Sequence, residues 1–235
     1  MRLIGRMAFP LYAFLLVQGF MWTRDWSRYV TRVALFALIS EIPFNLMVTG
    51  EVWYSRAQNT IVTLLIGLIC MKMLETLEKQ FGLTPGFRGC GFCREKNRRM
   101  REDTEENRYA ENDGVGAGGK ILGIALAIWA VAASMFTAEL LSTDYGALGV
   151  FLVVVLYIFR HRPSELVVAG CLAVVLIYGF GLEVLFAWIA FFFISRYNGE
   201  RGRKLGLVPY VFYPVHLLAV WGIGEWIGLW LAAGI

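Results

Sequence analysis

The sequence predicts an all-α, polytopic transmembrane helical bundle of about eight helices. Three observations carry that expectation. Hydrophobic residues make up 58% of the 235 positions and mean hydropathy is +0.59, more apolar surface than one soluble core absorbs. The apolar residues gather into continuous runs close to the roughly 20 residues that cross a ~30 Å hydrocarbon layer. Those runs do not alternate at period two, which excludes a β-barrel and leaves helices, whose backbone hydrogen bonds close within each segment.

The runs fall at residues 5–23, 29–49, 58–77, 120–140, 144–160, 164–181, 182–196 and 207–231. Arg6 precedes Phe9-Pro10 in the first, and the second carries Ser40-Glu41-Ile42-Pro43 in its far half. Gln58-Asn59-Thr60 opens the third, with Thr63 one turn deeper, and Asp144-Tyr145-Gly146 opens the fifth. The sixth and seventh share a short turn at Gly179-Phe180-Gly181. This divides the chain into three helices over 1–77, a polar loop over 78–119 and five helices over 120–235. The loop is rich in Gly, Arg and Glu, a composition that suggests disorder or a loose insertion. Cys70 and Cys171 sit in apolar runs as small hydrophobes. Cys90 and Cys93 form a C-x2-C in the loop without further ligands for zinc, so no metal is expected.

Charge fixes an orientation. Arg24, Arg28 and Arg32 flank the first connection, Lys79 to Arg108 crowd the long loop, and Arg160, Arg162, Arg196, Arg201, Arg203 and Lys204 flank later ones. The intervening connections carry Glu51 with Arg56, Glu139 with Asp144, and Glu183. Lys/Arg excess on every second loop makes those loops cytoplasmic. The net charge of +4 is therefore a topology signal within a lipid bilayer and gives no case for nucleic-acid binding. Both ends of the chain then face outward, although Arg2 and Arg6 lie at the start. An additional upstream helix is the simplest explanation, since residues 1–10 do not form a cleavable signal peptide.

Ionisable groups inside such a bundle mark candidate sites, because a charged residue at the centre of a spanning helix costs about 2.5–3.5 kcal/mol. His216, in Tyr213-Pro214-Val215-His216, has apolar neighbours and is expected about 14 Å along its helix, near the midplane. It is either a functional imidazole or a neutral one sharing a hydrogen bond with a neighbouring helix. Glu41 needs a partner, and Arg6 is the plausible one, as a functional or a structural pair. Pro43 frees a backbone carbonyl one turn back and lets the helix line a cavity. Gln58 and Asn59 suit capping and helix–helix contacts, and Asp144 suits an N-cap.

Taken together, Ile4-Gly5-Arg6-Met7-Ala8-Phe9-Pro10 with Phe14-Leu15-Leu16-Val17, Ser40-Glu41-Ile42-Pro43-Phe44, Gln58-Asn59 with Thr63-Leu64-Leu65-Ile66-Gly67, Asp144-Tyr145-Gly146, Tyr197-Asn198-Gly199 and Phe212-Tyr213-Pro214-Val215-His216-Leu217 resemble the TraX family of bacterial membrane proteins. The family is named for a pilin-acetylating protein of conjugative plasmids and is similar to integral membrane acyltransferases. The resemblance implies the bacterial inner membrane, acetyl-CoA as cosubstrate, and a pilin or envelope-glycan acceptor. In that scheme His216 is the general base and Glu41 or Asp144 orients. Arg6, Gln58, Asn59 and Tyr213 bind the acceptor or the developing oxyanion, and Arg201 and Arg203 hold the cosubstrate. It also implies a further upstream helix with an Asp-His pair, and Glu, His and Asp where this chain has Gln18, Trp22 and Asn45. The residues alone equally suit a transporter or export component, with the polar groups lining a pathway, or a non-catalytic assembly partner.

Overall fold

A computed structural model describes residues 2–52, 57–83, 115–199 and 208–232. Among them are eight helices and no strand: α1 (Arg2–Trp22), α2 (Trp26–Thr49), α3 (Thr60–Phe81), α4 (Ala117–Leu140), α5 (Gly146–Ile158), α6 (Pro163–Tyr178), α7 (Leu182–Ser195) and α8 (Val208–Ala232). The helical bundle expected from composition is the observed architecture. The expected loop over 78–119 is shorter, because α3 continues to Phe81 and α4 starts at Ala117. Cys90 and Cys93 lie outside the described residues.

Local chemistry sets the helix ends. The Asp25 carboxylate accepts from the Arg28 backbone N–H at 3.1 Å and caps α2. Asn59 does the same for α3, accepting from the Ile61 N–H at 2.9 Å. Gly50 and Gly82 close these two helices at φ 75° and 58°, a left-handed conformation that only glycine adopts without penalty. Prolines run inside α1, α2 and α8 at positions 10, 43 and 214. Pro10 has no N–H to offer the Arg6 carbonyl four residues back. That carbonyl accepts from the Tyr178 hydroxyl of α6 instead, at 3.4 Å.

The core is built around α5. Its residues from Leu152 to Tyr157 are all buried, because α1, α3, α4 and α6 surround it. Helix α7 packs on α1 and α6, while α2 packs on α3 and α8. Small residues permit the closest approaches: a Cβ on Gly67 would stand 2.9 Å from Val153, and one on Gly170 would stand 2.2 Å from Phe191. The outer faces are apolar too, with Leu38, Trp129 and Phe136 among the most exposed side chains. Such a surface suits lipid and not water.

Among the described residues, three helices are long and apolar enough to cross a membrane: α2, α3 and α4. Helices α5, α6 and α7 are equally apolar but have 13, 16 and 14 residues. Thirteen residues rise only about 20 Å. The apolar run at 144–160 overshoots α5 by two residues at each end, because the residues that flank the helix, Tyr145 and Phe159, are themselves aromatic.

The connections sort to two ends of the bundle. One end carries Arg24, Arg28, Lys79, Arg160, Arg162 and Arg196. The other carries the start of α1, the end of α2, the start of α3 and the α4–α5 and α6–α7 turns. Here the backbone of Gln58 bonds to both Ser142 and Asp144, at 3.1 and 3.0 Å, tying two turns into one unit. Tyr210 stacks on Phe36 at 5.3 Å, and Tyr213 lies beside Thr60. Helix α8 therefore runs in the same direction as α2, towards this polar end.

Candidate polar site at one end of the bundle

The polar end is assembled from residues of α1, α2, α3, α6, α7 and α8 and from the α4–α5 turn. Asn59 is fully buried, and its side chain is used on every atom. The amide Nδ2 donates to Glu41 Oε2 at 2.6 Å and to the Ala37 carbonyl at 2.8 Å, while Oδ1 caps α3. The Asn59 backbone N–H also points at Glu41 Oε2, at 3.4 Å. Glu41 Oε1 is buried with no hydrogen-bond partner. One carboxylate oxygen is thus clamped and the other is open, an arrangement in which the open oxygen is costly to leave unsatisfied.

A second network lies alongside. The Thr60 hydroxyl donates to Asp144 Oδ2 at 2.6 Å, and the Tyr213 hydroxyl lies within hydrogen-bonding reach of Thr60. Three elements, α3, the α4–α5 turn and α8, meet at Thr60. Tyr145 follows Asp144 and stacks on Phe9 of α1 with ring centres 3.7 Å apart. Its hydroxyl is 3.5 Å from that of Tyr178. Arg6 lies with its guanidinium 5.0 Å from the Tyr178 ring centre and 3.5 Å from Glu183 Oε2. Both side chains of that ion pair are about one third exposed, so it adds little stability.

The geometry corrects three expectations. Arg6 does not pair with Glu41: its carboxylate partner is Glu183 of α7, and Glu41 is held by Asn59. Helix α1 turns Arg6 towards α6 and α7, away from α2. Asp144 does not cap α5. The amide of Ala147 is taken by Glu139 Oε1 from the end of α4, at 2.8 Å, which leaves the Asp144 carboxylate for Thr60. Nor is His216 near the middle of the bundle. Tyr213 is level with Thr60, the first residue of α3, and His216 is one turn further along α8.

His216 is half-buried and makes its polar contact within its own helix, Nδ1 to the Phe212 carbonyl at 3.3 Å. Its ring stacks on Phe212 and meets Tyr213 edge-on, at 5.3 and 5.5 Å. Tyr213 is therefore its link to the polar networks. Gln58 contributes its backbone, in the strap described above. Arg201 and Arg203 lie outside the described residues. Among the described residues, no group of three His, Cys, Asp or Glu side chains is placed to hold a metal.

Sequence reasoning set Thr60, Glu139 and Glu183 on this side of the bundle but gave none of them a role, and it did not single out Tyr178. Glu183 was visible as an acid in a connection without basic residues. Tyr178 carried no signal, because its role depends on a carbonyl freed by a proline in another helix.

The family model described as TraX protein matches residues 1–85 and 114–224. That match takes in both networks and His216. No curated protein and no solved structure matches the chain. With most of its length covered in order, and with the polar end wholly inside the match, the chain belongs to the TraX family.

Proposed function

We propose that the protein is an integral membrane acyltransferase of the bacterial inner membrane. It transfers an acetyl group from acetyl-CoA to an amine or hydroxyl of a pilin or envelope-glycan acceptor. The observation that carries this reading is Glu41, whose one oxygen is fixed by Asn59 at 2.6 Å while the other is buried and open. A carboxylate so held is a fixed acceptor for the N–H or O–H of an incoming nucleophile. His216 supplies the base. A carbonyl can only accept, so the contact from Nδ1 to Phe212 places the ring proton on Nδ1 and leaves the Nε2 lone pair available.

In the proposed step the acceptor nitrogen or oxygen bonds to the thioester carbonyl carbon and its proton passes to His216 Nε2. The C–S bond then breaks, and the departing CoA sulfur recovers that proton. Arg6, Gln58 and Tyr213 bind the acceptor or the developing oxyanion, and Asn59 holds Glu41 in place. Asp144 anchors Thr60 and, through it, Tyr213. Arg201 and Arg203, in the sequence between α7 and α8, hold the phosphates of the donor.

Family membership supports a pilin-related role. The distribution of polar groups favours transfer over transport. They gather at one end, while α5 fills the interior with buried apolar side chains. A charged cargo needs polar groups along its whole route, whereas a transfer step needs them only where the bond is made. The test is acetyl transfer from labelled acetyl-CoA into membrane acceptors by the reconstituted protein. His216→Ala and Glu41→Gln are each expected to lower the rate about a hundredfold or more. Full activity in either variant removes that residue from the mechanism. Absence of CoA binding together with measurable solute flux would replace this reading with transport.

A further inference from the structure

Among the described residues, α2 is the one substantial neighbour of α8. Pro214 and Leu217 are buried in that seam, with Tyr210 on Phe36 a turn before them. From Leu218 to Trp226 no residue of α8 is buried, and a Cβ on Gly222 or Gly224 would meet nothing within 4 Å. Glycine weakens a helix interior. At Gly67 and Gly170 a neighbouring helix fills the space that it leaves, whereas at Gly222 that space is empty. On one face of α8, Val208, Val211, Val215, Leu218, Gly222 and Glu225 recur at alternating steps of three and four, and all are exposed. This is the heptad spacing of a helix–helix seam, about 100° round α8 from the one that holds α2. It runs about 26 Å, close to the depth of a hydrocarbon layer. Lipid satisfies the apolar positions. Glu225 is different: it is the one charged residue between Val208 and Ala232, and its carboxylate has neither a hydrogen bond nor an ion pair among the described residues.

We propose that this face of α8 docks one membrane-spanning helix of a partner protein, with a Lys or Arg of that helix at the level of Glu225. The compact side chains from Val208 to Gly222 let the two backbones approach closely, and the carboxylate selects which helix comes. An ionised residue in an apolar helix needs a counter-charge. A second copy of this chain does not supply one, because a parallel pair sets Glu225 against Glu225, and a lipid tail carries no charge at all. A helix with a basic residue near one end meets both the apolar stripe and its acidic terminus. The inference rests on the chain lying in a bilayer and is independent of the acyltransferase reading.

The probe is a synthetic leucine–alanine helix of roughly 20 residues, with one Lys, Gln or Glu a turn from a dansyl-labelled end. It is added to phosphatidylcholine vesicles that hold the reconstituted protein, and energy transfer from tryptophan to dansyl reads binding. The Lys helix is expected to bind about threefold to tenfold more tightly than the Gln helix. Glu225→Gln removes that difference, and Glu225→Lys passes the preference to the Glu helix. Gly222→Leu weakens binding of all three helices. Nothing stands near Gly222 in the free protein, so that loss reports the docked face and not a disturbed fold. Equal binding by the three helices overturns the proposal, as does a Lys preference that survives Glu225→Gln or binding that Gly222→Leu leaves unchanged. Two other outcomes name a different occupant and overturn it as well. Energy transfer between labelled copies of the protein that the Lys helix does not displace gives the face to a second copy. Loss of the preference when phosphatidylethanolamine replaces half of the lipid gives Glu225 to a lipid ammonium group.

Discussion

Asn59 ties the polar end together through more bonds than any charged residue there. It caps α3, donates to the Ala37 carbonyl and fixes Glu41. Asn59→Ala loses all three and leaves a carboxylate and a carbonyl unpaired in the interior. A loss of about 2–3 kcal/mol is expected, read as a lower thermal unfolding midpoint in detergent. Asn59→Asp keeps the cap but sets two carboxylates against each other, and its deficit shrinks as pH falls and one of them protonates. At this scale the sequence picked out several residues that the polar end brings together and was poor on how they pair. Arg6, Glu41 and Asp144 stood out as costly intramembrane or boundary groups. Their partners depend on how each helix is rotated about its axis, and helices apolar on nearly every face, such as α5, carry little periodic signal to set that rotation. The Tyr178–Arg6 contact was hidden for a second reason, since it needs both a proline-freed carbonyl and a neighbour from the distant α6.

Among the helices, existence and order were legible and length was not. Continuous apolar runs report burial in lipid or protein alike, so the turns at Tyr145 and Phe159 were absorbed into one run with α5. The close crossings make a sharper prediction. Gly170 of α6 faces Phe191 of α7, where a Cβ would fall 2.2 Å from the ring. Gly170→Val should destabilise by about 1–3 kcal/mol through overpacking, and adding Phe191→Ala should recover part of that loss. A double-mutant cycle of thermal midpoints measures the coupling. Additive effects would mean that α6 and α7 do not meet at this crossing.

Seen as a whole, the molecule separates its charges by end. The basic connections, with Arg24, Arg160, Arg162 and Arg196, oppose the end that holds Glu41, Asn59 and Asp144. If the basic end faces the cytoplasm, a cysteine introduced at Ser142 should react with an impermeant thiol reagent added outside intact cells. One introduced at His161 should react only after the membrane is opened. The reverse pattern would put the acceptor site on the cytoplasmic side and reverse the proposed division between donor and acceptor ends. The same arrangement explains why His216 was placed at the wrong depth. Counting residues from the start of its run assumes that every helix begins at one common plane. Tyr213 lying level with Thr60 shows that α8 reaches the polar end early.

The partnership of helices has one more consequence. Helices α1, α2 and α3 each find a partner on the far side of the long connection: α1 on α7 and α5, α2 on α8, and α3 on α4 and α5. The match to the family is interrupted in the same stretch, between residues 85 and 114. The two halves are interleaved like the fingers of clasped hands, so covalent continuity between them adds proximity and little else. Expressed as two separate polypeptides divided in that stretch, they should find each other in the membrane and co-purify as one complex.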